Sequence, residues 1–464
     1  MNNMVNNTKT KFDFSLLPVI FALAWPTMLE QFMQTAVQYI DTAMVGSLGT
    51  TATAAVGSTT TVNWLIGSTI SAFGVGFLAY ISQNIGAGDF LKAKKAAGQA
   101  IFMAVITGVI FTILTLSLSG FVPVWMRVDT NVVDLASKYF FILYTSIFFR
   151  SCTIILGTVL RAAGDTKTPM RVGIIVNIVN VVLNYLLIFP SRNVKIVGLT
   201  IKVIGANLGV VGAAIASSVA FSIGGIITIV SLIAHKEISP SFSDLSPDKR
   251  ILYPCLKVAF PNMLQRFCTS LGYVFFASMI NSLGEISTAA HTIANTVESA
   301  FYVPGYGMMT AAATLTGNAI GADDKSRQKR LSRMIILVEV LMMIVSGGLL
   351  FIFAPAMVSL FSKDILVIEL GSIVLRMVAL SEPFYGVSIV IEGMLQGAGD
   401  TVRPFIFSVA SMWGVRIIGT FICTQILGMG LVSAWACMIG NNMLLFLLFV
   451  LYHKRHAVVD VRLG

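Results

Sequence analysis

Residue n of this chain resembles residue n + 235, without a gap, from about position 22 to position 170, so its fold must be one that can be built twice. Trp25-Pro26-Thr27-Met28-Leu29 returns as Phe260-Pro261-Asn262-Met263-Leu264, and Ser47-Leu48-Gly49 returns as Ser282-Leu283-Gly284. Ile85-Gly86-Ala87 returns as Ile320-Gly321-Ala322. Ala163-Gly164-Asp165-Thr166 with Pro169 returns as Ala398-Gly399-Asp400-Thr401 with Pro404. One offset held through all these blocks identifies a duplication. Beyond Pro169 the register weakens, and Val211 to Ala216 matches Leu431 to Ala436 at an offset of 220. About fifteen extra residues near 190 to 205, expected to form a loop, account for the change.

The repeated unit is a membrane unit. A hydrophobic fraction of 56%, a charged fraction of 11% and a mean hydropathy of +0.86 are outside the range of soluble domains. Apolar runs of more than about 20 residues, separated by Gly, Pro and charge clusters, are what helices need to cross a hydrocarbon core. Twelve spans are expected: 16 to 45, 51 to 85, 91 to 118, 134 to 163, 167 to 190 and 206 to 234 in the first half, and 252 to 282, 286 to 320, 326 to 353, 368 to 397, 402 to 427 and 430 to 452 in the second. The chain then divides into lobes at 1–234 and 251–464, joined by a polar linker at 235–250 that contains Pro240 and Pro247. An even number of spans per half gives both halves the same orientation, related by an axis along the membrane normal.

Of the 31 Lys and Arg, only Arg127, Lys138, Arg192, Lys195, Lys202 and Lys363 fall on the side opposite the termini, and Arg150, Arg266, Arg376 and Arg416 fall within spans. The rest crowd the other side, which by the positive-inside rule makes both termini cytoplasmic. The formal charge of +10 is therefore a topology signal. It has no aromatic platform of the kind that binds nucleic acid. The first fifteen residues are polar, and the apolar run after them lacks a small-residue cleavage pattern, so no signal peptide is expected. The five cysteines show no paired or metal-ligand spacing and are expected to be apolar packers.

Against that background the polar residues inside spans stand out, because ionisable groups in hydrocarbon are costly and usually functional. Glu30, Gln34, Gln38 and Asp41 are spaced i, i+4, i+8 and i+11, which puts them on one stripe of the first span. Asn177, Asn180 and Asn184 share a face of the fifth. Two polar faces in one half suggest a hydrated pocket in which a desolvated carboxylate favours its neutral form and so loads and releases a proton, or binds Na⁺ when ionised. The plainer readings are that Asp41 partners an Arg and that the asparagines join helices by hydrogen bonds. The second half has Phe276 at the position of Asp41, and Thr269 and Tyr273 at those of Gln34 and Gln38, an asymmetry that favours function. Arg266, Glu298, Glu339, Arg376, Glu382, Glu392 and Arg416 are expected to pair mainly with one another, with Glu298 and Glu382 the next candidates to meet a cationic substrate. Pro26 and Pro261 interrupt equivalent helices and are candidate kinks or hinges.

The string Val37-Gln38-Tyr39-Ile40-Asp41-Thr42-Ala43-Met44-Val45-Gly46, the segment Leu160-Arg161-Ala162-Ala163-Gly164-Asp165-Thr166 and its repeat Leu395-Gln396-Gly397-Ala398-Gly399-Asp400-Thr401 resemble the multidrug and toxic compound extrusion (MATE) transporters, across nearly the whole chain. The resemblance implies an all-α polytopic protein of two pseudo-symmetric six-helix lobes around a V-shaped cavity. It implies a protein of the plasma membrane that is no enzyme and carries no cofactor, and that exports organic cations or amphipathic drugs in exchange for H⁺ or Na⁺. It assigns coupling to Asp41, Asn180 and Asn184, with a Na⁺ ion near Asp41 as one form of that coupling, and a monomer suffices. Many members carry Asp where this chain has Asn184, and the NorM-type branch carries Glu where it has Thr269, which makes a DinF-type or broader bacterial branch the nearer one. A flippase for lipids or lipid-linked oligosaccharides is the alternative within the same superfamily.

Overall fold

The computed structural model describes residues 12–126, 128–196, 199–456 and 463. Arg127 lies outside the described residues, as do the side chains of Lys195 and Lys202. In the first half, α1 (Leu17–Gly46), α2 (Thr50–Gly86) and α3 (Phe90–Leu118) are followed by a short α4 (Val122–Trp125), then α5 (Thr130–Tyr144), α6 (Ile147–Ala162), α7 (Lys167–Leu187) and α8 (Gly209–Ile233). The second half runs α9 (Lys249–Asn281), α10 (Glu285–Phe301), α11 (Val303–Gly321), α12 (Lys325–Ser359), α13 (Ile365–Ala379), α14 (Glu382–Gly397), α15 (Val402–Ser411), α16 (Ile418–Phe421) and α17 (Leu431–Arg455).

Eight of these segments are individually long and apolar enough to cross a membrane, and α5 with α6 forms a ninth bent by 49°. The helix α9 and the pairs α10/α11 and α13/α14 complete twelve crossings in two lobes. Each half thus has the same sequence of spans, with local differences. The span after α1 is one helix of 37 residues, whereas its repeat breaks between Phe301 and Val303, beside Pro304. The span from Val402 to Ile426 alternates α-helix with wider π turns at Met412–Ile417 and Ile422–Ile426, which rotates the side chains that follow each one.

The extra residues of the first half are more ordered than a loop. Pro190–Ile196 and Leu199–Ala206 form an antiparallel two-stranded hairpin, β1 and β2. It stands on a closed neck, because Leu208 N–H donates to Leu187 O at 2.8 Å and Asn207 N–H to Phe189 O at 3.1 Å. The stretch between the halves is docked on α3. Gln99 donates to Asp244 O at 2.7 Å and Ser246 O at 2.6 Å and accepts from Asp248 N–H at 2.9 Å. Pro26 and Pro261 lie inside continuous helices. Cys152 and Cys255 are buried, but Cys268, Cys423 and Cys437 are only half-buried, and Cys423 and Cys437 approach to 4.0 Å as free thiols.

The lobes meet along α2 and α11. Residues 75–84 are all buried there, and so are 311–317. The repeated Ile-Gly-Ala blocks sit at this crossing and face each other reciprocally. A Cβ on Gly86 would lie 2.1 Å from Asn318 O, and one on Gly321 would lie 1.8 Å from Gln83 O. Gln83 and Asn318 are themselves 235 residues apart, so the duplication places the same close approach on both sides of the pseudo-twofold axis. Gln83 also donates to Gly397 O at 3.1 Å and accepts from Leu463 N–H at 3.0 Å. This tight end is the one that leads into the Lys92–Lys95 and Lys325–Arg333 clusters. Toward the other end, among the described residues, exposed rings bridge the lobes: Tyr39 donates to Thr296 O at 3.2 Å and meets the ring of Phe361, and Trp64 meets Tyr273 edge-on.

Candidate functional site

The stripe on α1 turns toward α7, as its periodicity requires, and divides into two parts. At the far end Asn184 Nδ2 donates to Asp41 Oδ1 at 2.6 Å. The Asn180 amide lies against both carboxylate oxygens and against Ser217 Oγ on α8. With its nitrogen toward Asp41 it donates at 2.9 and 3.0 Å and accepts from Ser217 at 3.0 Å. With the amide turned over, Nδ2 donates to Ser217 Oγ at 3.0 Å and Oδ1 accepts from Asn184 Nδ2 at 3.1 Å. Asn180 is 6% exposed and Asn184 1%, and Asn184 Oδ1 has no partner. Buried amides without partners are costly, so a fixed cluster of this kind implies a specific occupant of its remaining acceptor. The free atoms of the cluster, the Asp41 carboxylate and Asn184 Oδ1, are oxygens, the ligand type of hard cations.

About three turns back on α1, Glu30 is engaged in an ion pair. Arg161 Nη2 lies 2.8 and 2.7 Å from its two carboxylate oxygens, with both side chains only 16% exposed. The expected partnering of an intramembrane acid with Arg therefore applies to Glu30 and not to Asp41. Arg161 sits in the last turn of α6, where the helix dipole favours a cation. Gln34 and Gln38 are exposed between these two points, and Asn177 is half-buried. None of the three makes a side-chain hydrogen bond among the described residues. Arg150, the other cation of this lobe, donates to Asn63 Oδ1, which also accepts from Tyr144 at 3.3 Å, and stacks over Phe221.

In the second lobe, the expectation of ion pairs does not hold among the described residues. Arg416 lies over the rings of Phe276 at 4.1 Å and Tyr273 at 4.8 Å. Arg266 donates to Asn262 at 3.1 Å, Glu392 accepts from Gln265 at 3.0 Å, and Arg376 reaches the Phe351 carbonyl at 3.4 Å. Cation–π and amide contacts have taken the place of salt bridges because no carboxylate reaches the guanidinium groups. Phe276, the repeat counterpart of Asp41, is thus covered by a cation. Glu298, Glu339 and Glu382 are 6%, 0% and 1% exposed, and all four carboxylate oxygens of Glu339 and Glu382 lack partners. Glu339 is neither at a helix end nor facing lipid. Its Oε1 lies where a Cβ on Gly305 or Gly386 would be, at 2.9 and 2.6 Å. Glu382 occupies the first turn of α14, where the helix dipole favours a carboxylate.

Sequence reasoning located Asp41 and the asparagines but missed Ser217 and Arg161. Ser217 lies in a run of Ala, Gly and Ser with no polar periodicity, so nothing local distinguishes it. Arg161 reads as part of a basic loop.

The MatE family model matches twice, at residues 26–186 and 261–422, which begin at the two prolines of the repeat. The chain is 28% identical to a probable multidrug resistance protein NorM of Thermotoga maritima, over 96% of this chain and 94% of that one. It is 22% identical to the multidrug export protein MepA of Staphylococcus saprophyticus, over 81% of each. An outward-facing MATE family transporter of the MOP superfamily superimposes with a TM-score of 0.87, at 23% identity, covering 94% of this chain and 95% of that structure. With its two matched halves, twelve crossings and two lobes, the chain belongs to the MATE family of membrane transporters.

Proposed function

We propose that the protein exports amphipathic or cationic small molecules across the plasma membrane in exchange for H⁺ or Na⁺, with Asp41, Asn180 and Asn184 as the coupling group and both termini in the cytoplasm. The observation that carries this reading is the position of the Asn180 and Asn184 amides against the Asp41 carboxylate, with Ser217 behind Asn180, since an amide can present either end by rotation. When Asp41 is ionised, Asn180 Nδ2 and Asn184 Nδ2 both donate to it, and Ser217 donates to Asn180 Oδ1. When Asp41 carries a proton, its O–H donates to Asn180 Oδ1, and the turned amide donates to Ser217. The two charge states thus differ in which end of the Asn180 amide faces Asp41. A change between them alters how α1 is tied to α7 and α8, and a substrate that prefers one packing biases the equilibrium. Na⁺ is accommodated by the Asp41 carboxylate and the free Asn184 Oδ1.

Gln34, Gln38 and Asn177 are the first-lobe candidates to meet substrate, since they are accessible and their amides are uncommitted. Glu298 and Glu382 are the second-lobe candidates, and Pro26 and Pro261 the hinge candidates. No cofactor beyond the coupling ion is needed, and one chain is sufficient. The names of the relatives support drug export, and the tight α2–α11 seam on the basic side supports a state closed toward the cytoplasm.

The test is uptake of a fluorescent cationic dye into inverted vesicles bearing wild type or Asp41→Asn, with H⁺ and Na⁺ gradients imposed separately. Uptake on one gradient, lost in the variant, is the expected result and names the ion. Dye movement in Asp41→Asn with unchanged ion dependence removes Asp41 from coupling. Absence of uptake on either gradient favours a lipid substrate and the flippase alternative.

A further inference from the structure

A polar groove opens between the start of α12 and the end of α17, away from the Asp41 cluster. It encloses about 210 Å³ and is lined by Lys329, Ser332, Arg333 and His453. A second, narrower hollow shares Ser332 and His453 and continues past Gln328 to Met394 and Leu395 of α14. Ser332 Oγ and His453 Nε2 are joined at 2.8 Å, which fixes the floor. Gln328 is 6% exposed, and its amide has no hydrogen-bond partner among the described residues.

Among the described residues no carboxylate meets the charge of the groove. Lys329 and Arg333 are one turn apart on the same face of α12, and neither meets a carboxylate among the described residues. The neighbouring acids are committed elsewhere. Asp13 faces Arg330 at 3.5 Å, and Asp324 caps α12 by accepting from Arg327 N–H at 2.7 Å. Two cations, a hydroxyl and an imidazole lining one groove form an anion site of phosphate type.

Its depth selects the source of the phosphate. Arg333 is followed directly by the apolar run from Met334, and His453 ends the apolar run of α17, so the groove lies at the boundary between hydrocarbon and water. Lipid phosphates occupy that level.

We propose that this groove binds the phosphate of an anionic phospholipid, with Lys329 and Arg333 as charge partners and Ser332 and His453 as hydrogen-bonding groups. Its walls come from α12 and α17, both of the second lobe, so an occupying headgroup ties these two helices together without bridging the lobes.

The test is thermal unfolding of the purified full chain in detergent with added phosphatidylglycerol, phosphatidylcholine or inorganic phosphate. The proteins compared are wild type, the Lys329→Gln/Arg333→Gln pair, and the Lys454→Gln/Arg455→Gln pair, which removes equal charge from the same end outside the groove. Wild type and the α17 pair are expected to be stabilised by phosphatidylglycerol over phosphatidylcholine. The α12 pair is expected to need roughly thirtyfold more phosphatidylglycerol for the same shift. Both pairs carry Gln at exposed helical positions, and equal melting without lipid shows that they fold. Equal loss in the two pairs overturns the groove in favour of diffuse surface charge. Equal stabilisation by both lipids overturns anion selectivity, and a full shift with inorganic phosphate alone overturns the lipid source.

Discussion

A carboxylate within a helix bundle has two charge states, and what surrounds it decides whether it can use both. Asp41 meets two amides, one of them backed by the Ser217 hydroxyl, and these groups exchange donor and acceptor ends by rotation. Glu30 faces a guanidinium, which only donates and has no acceptor end to exchange by rotation. Ser217 is the test of the first arrangement. Ser217→Ala removes the group that complements either orientation of Asn180, so the pH dependence of dye exchange should shift while expression is unchanged. An unaltered pH profile would remove Ser217 from the cluster. Arg161→Ala leaves the mostly buried Glu30 charge unpaired and should lower stability by about 3 kcal/mol. The Glu30→Ala/Arg161→Ala double variant should recover part of that loss in the same melting assay. Glu339 behaves oppositely, because it is buried without any donor or cation and gains nothing from ionising. Glu339→Gln is expected to keep transport and to melt within about 1 kcal/mol of wild type, or above it. Loss of transport with a normal melt would instead make Glu339 an obligatory charge.

Helices meet where side chains permit it, and the duplicated Ile-Gly-Ala block permits an unusually close meeting of α2 with α11. Gly86 and Gly321 each face a backbone carbonyl of the other helix, which cannot move aside as a side chain would. Gly86→Ala or Gly321→Ala should therefore part the helices at the basic end. The measurement is maleimide labelling of a cysteine placed at Ser82, which is 0% exposed. Labelling from the cytoplasmic side should rise from near zero, and continued protection would show that the crossing yields elsewhere. The recurrence of the block at n + 235 was visible in the sequence. Its purpose was not, because only the packed lobes bring one copy against the other.

For the molecule as a whole, duplication supplies the frame and its departures supply the specialisation. The hairpin Pro190–Ala206 belongs to one half only and stands on a neck already closed by backbone hydrogen bonds between Leu187–Phe189 and Asn207–Leu208. Replacing residues 191–205 with a short Gly-Ser turn should leave the melting temperature and dye exchange close to wild type, since closing a loop costs little when its ends are already held. A large loss of either would assign the hairpin a role in exchange. The second lobe has exchanged the Asp41 cluster for Phe276 beneath Arg416 and has buried carboxylates elsewhere, so the halves are alike in path and unlike in chemistry.

The sequence alone determined the twelve crossings, the duplication and the polar faces of α1 and α7, because each rests on hydropathy or spacing along the chain, and helical geometry translates spacing directly into a face. The tertiary structure decided which group each face meets. Glu30 and Asp41 lie on one stripe, yet one finds Arg161 and the other finds Asn180, Asn184 and Ser217. The expected ion pairs of the second lobe became ring and amide contacts by the same kind of choice. The physical reason is that a partner depends on the rotation and depth of neighbouring helices, which side-chain volumes and close glycine contacts set across the bundle and which no local pattern encodes.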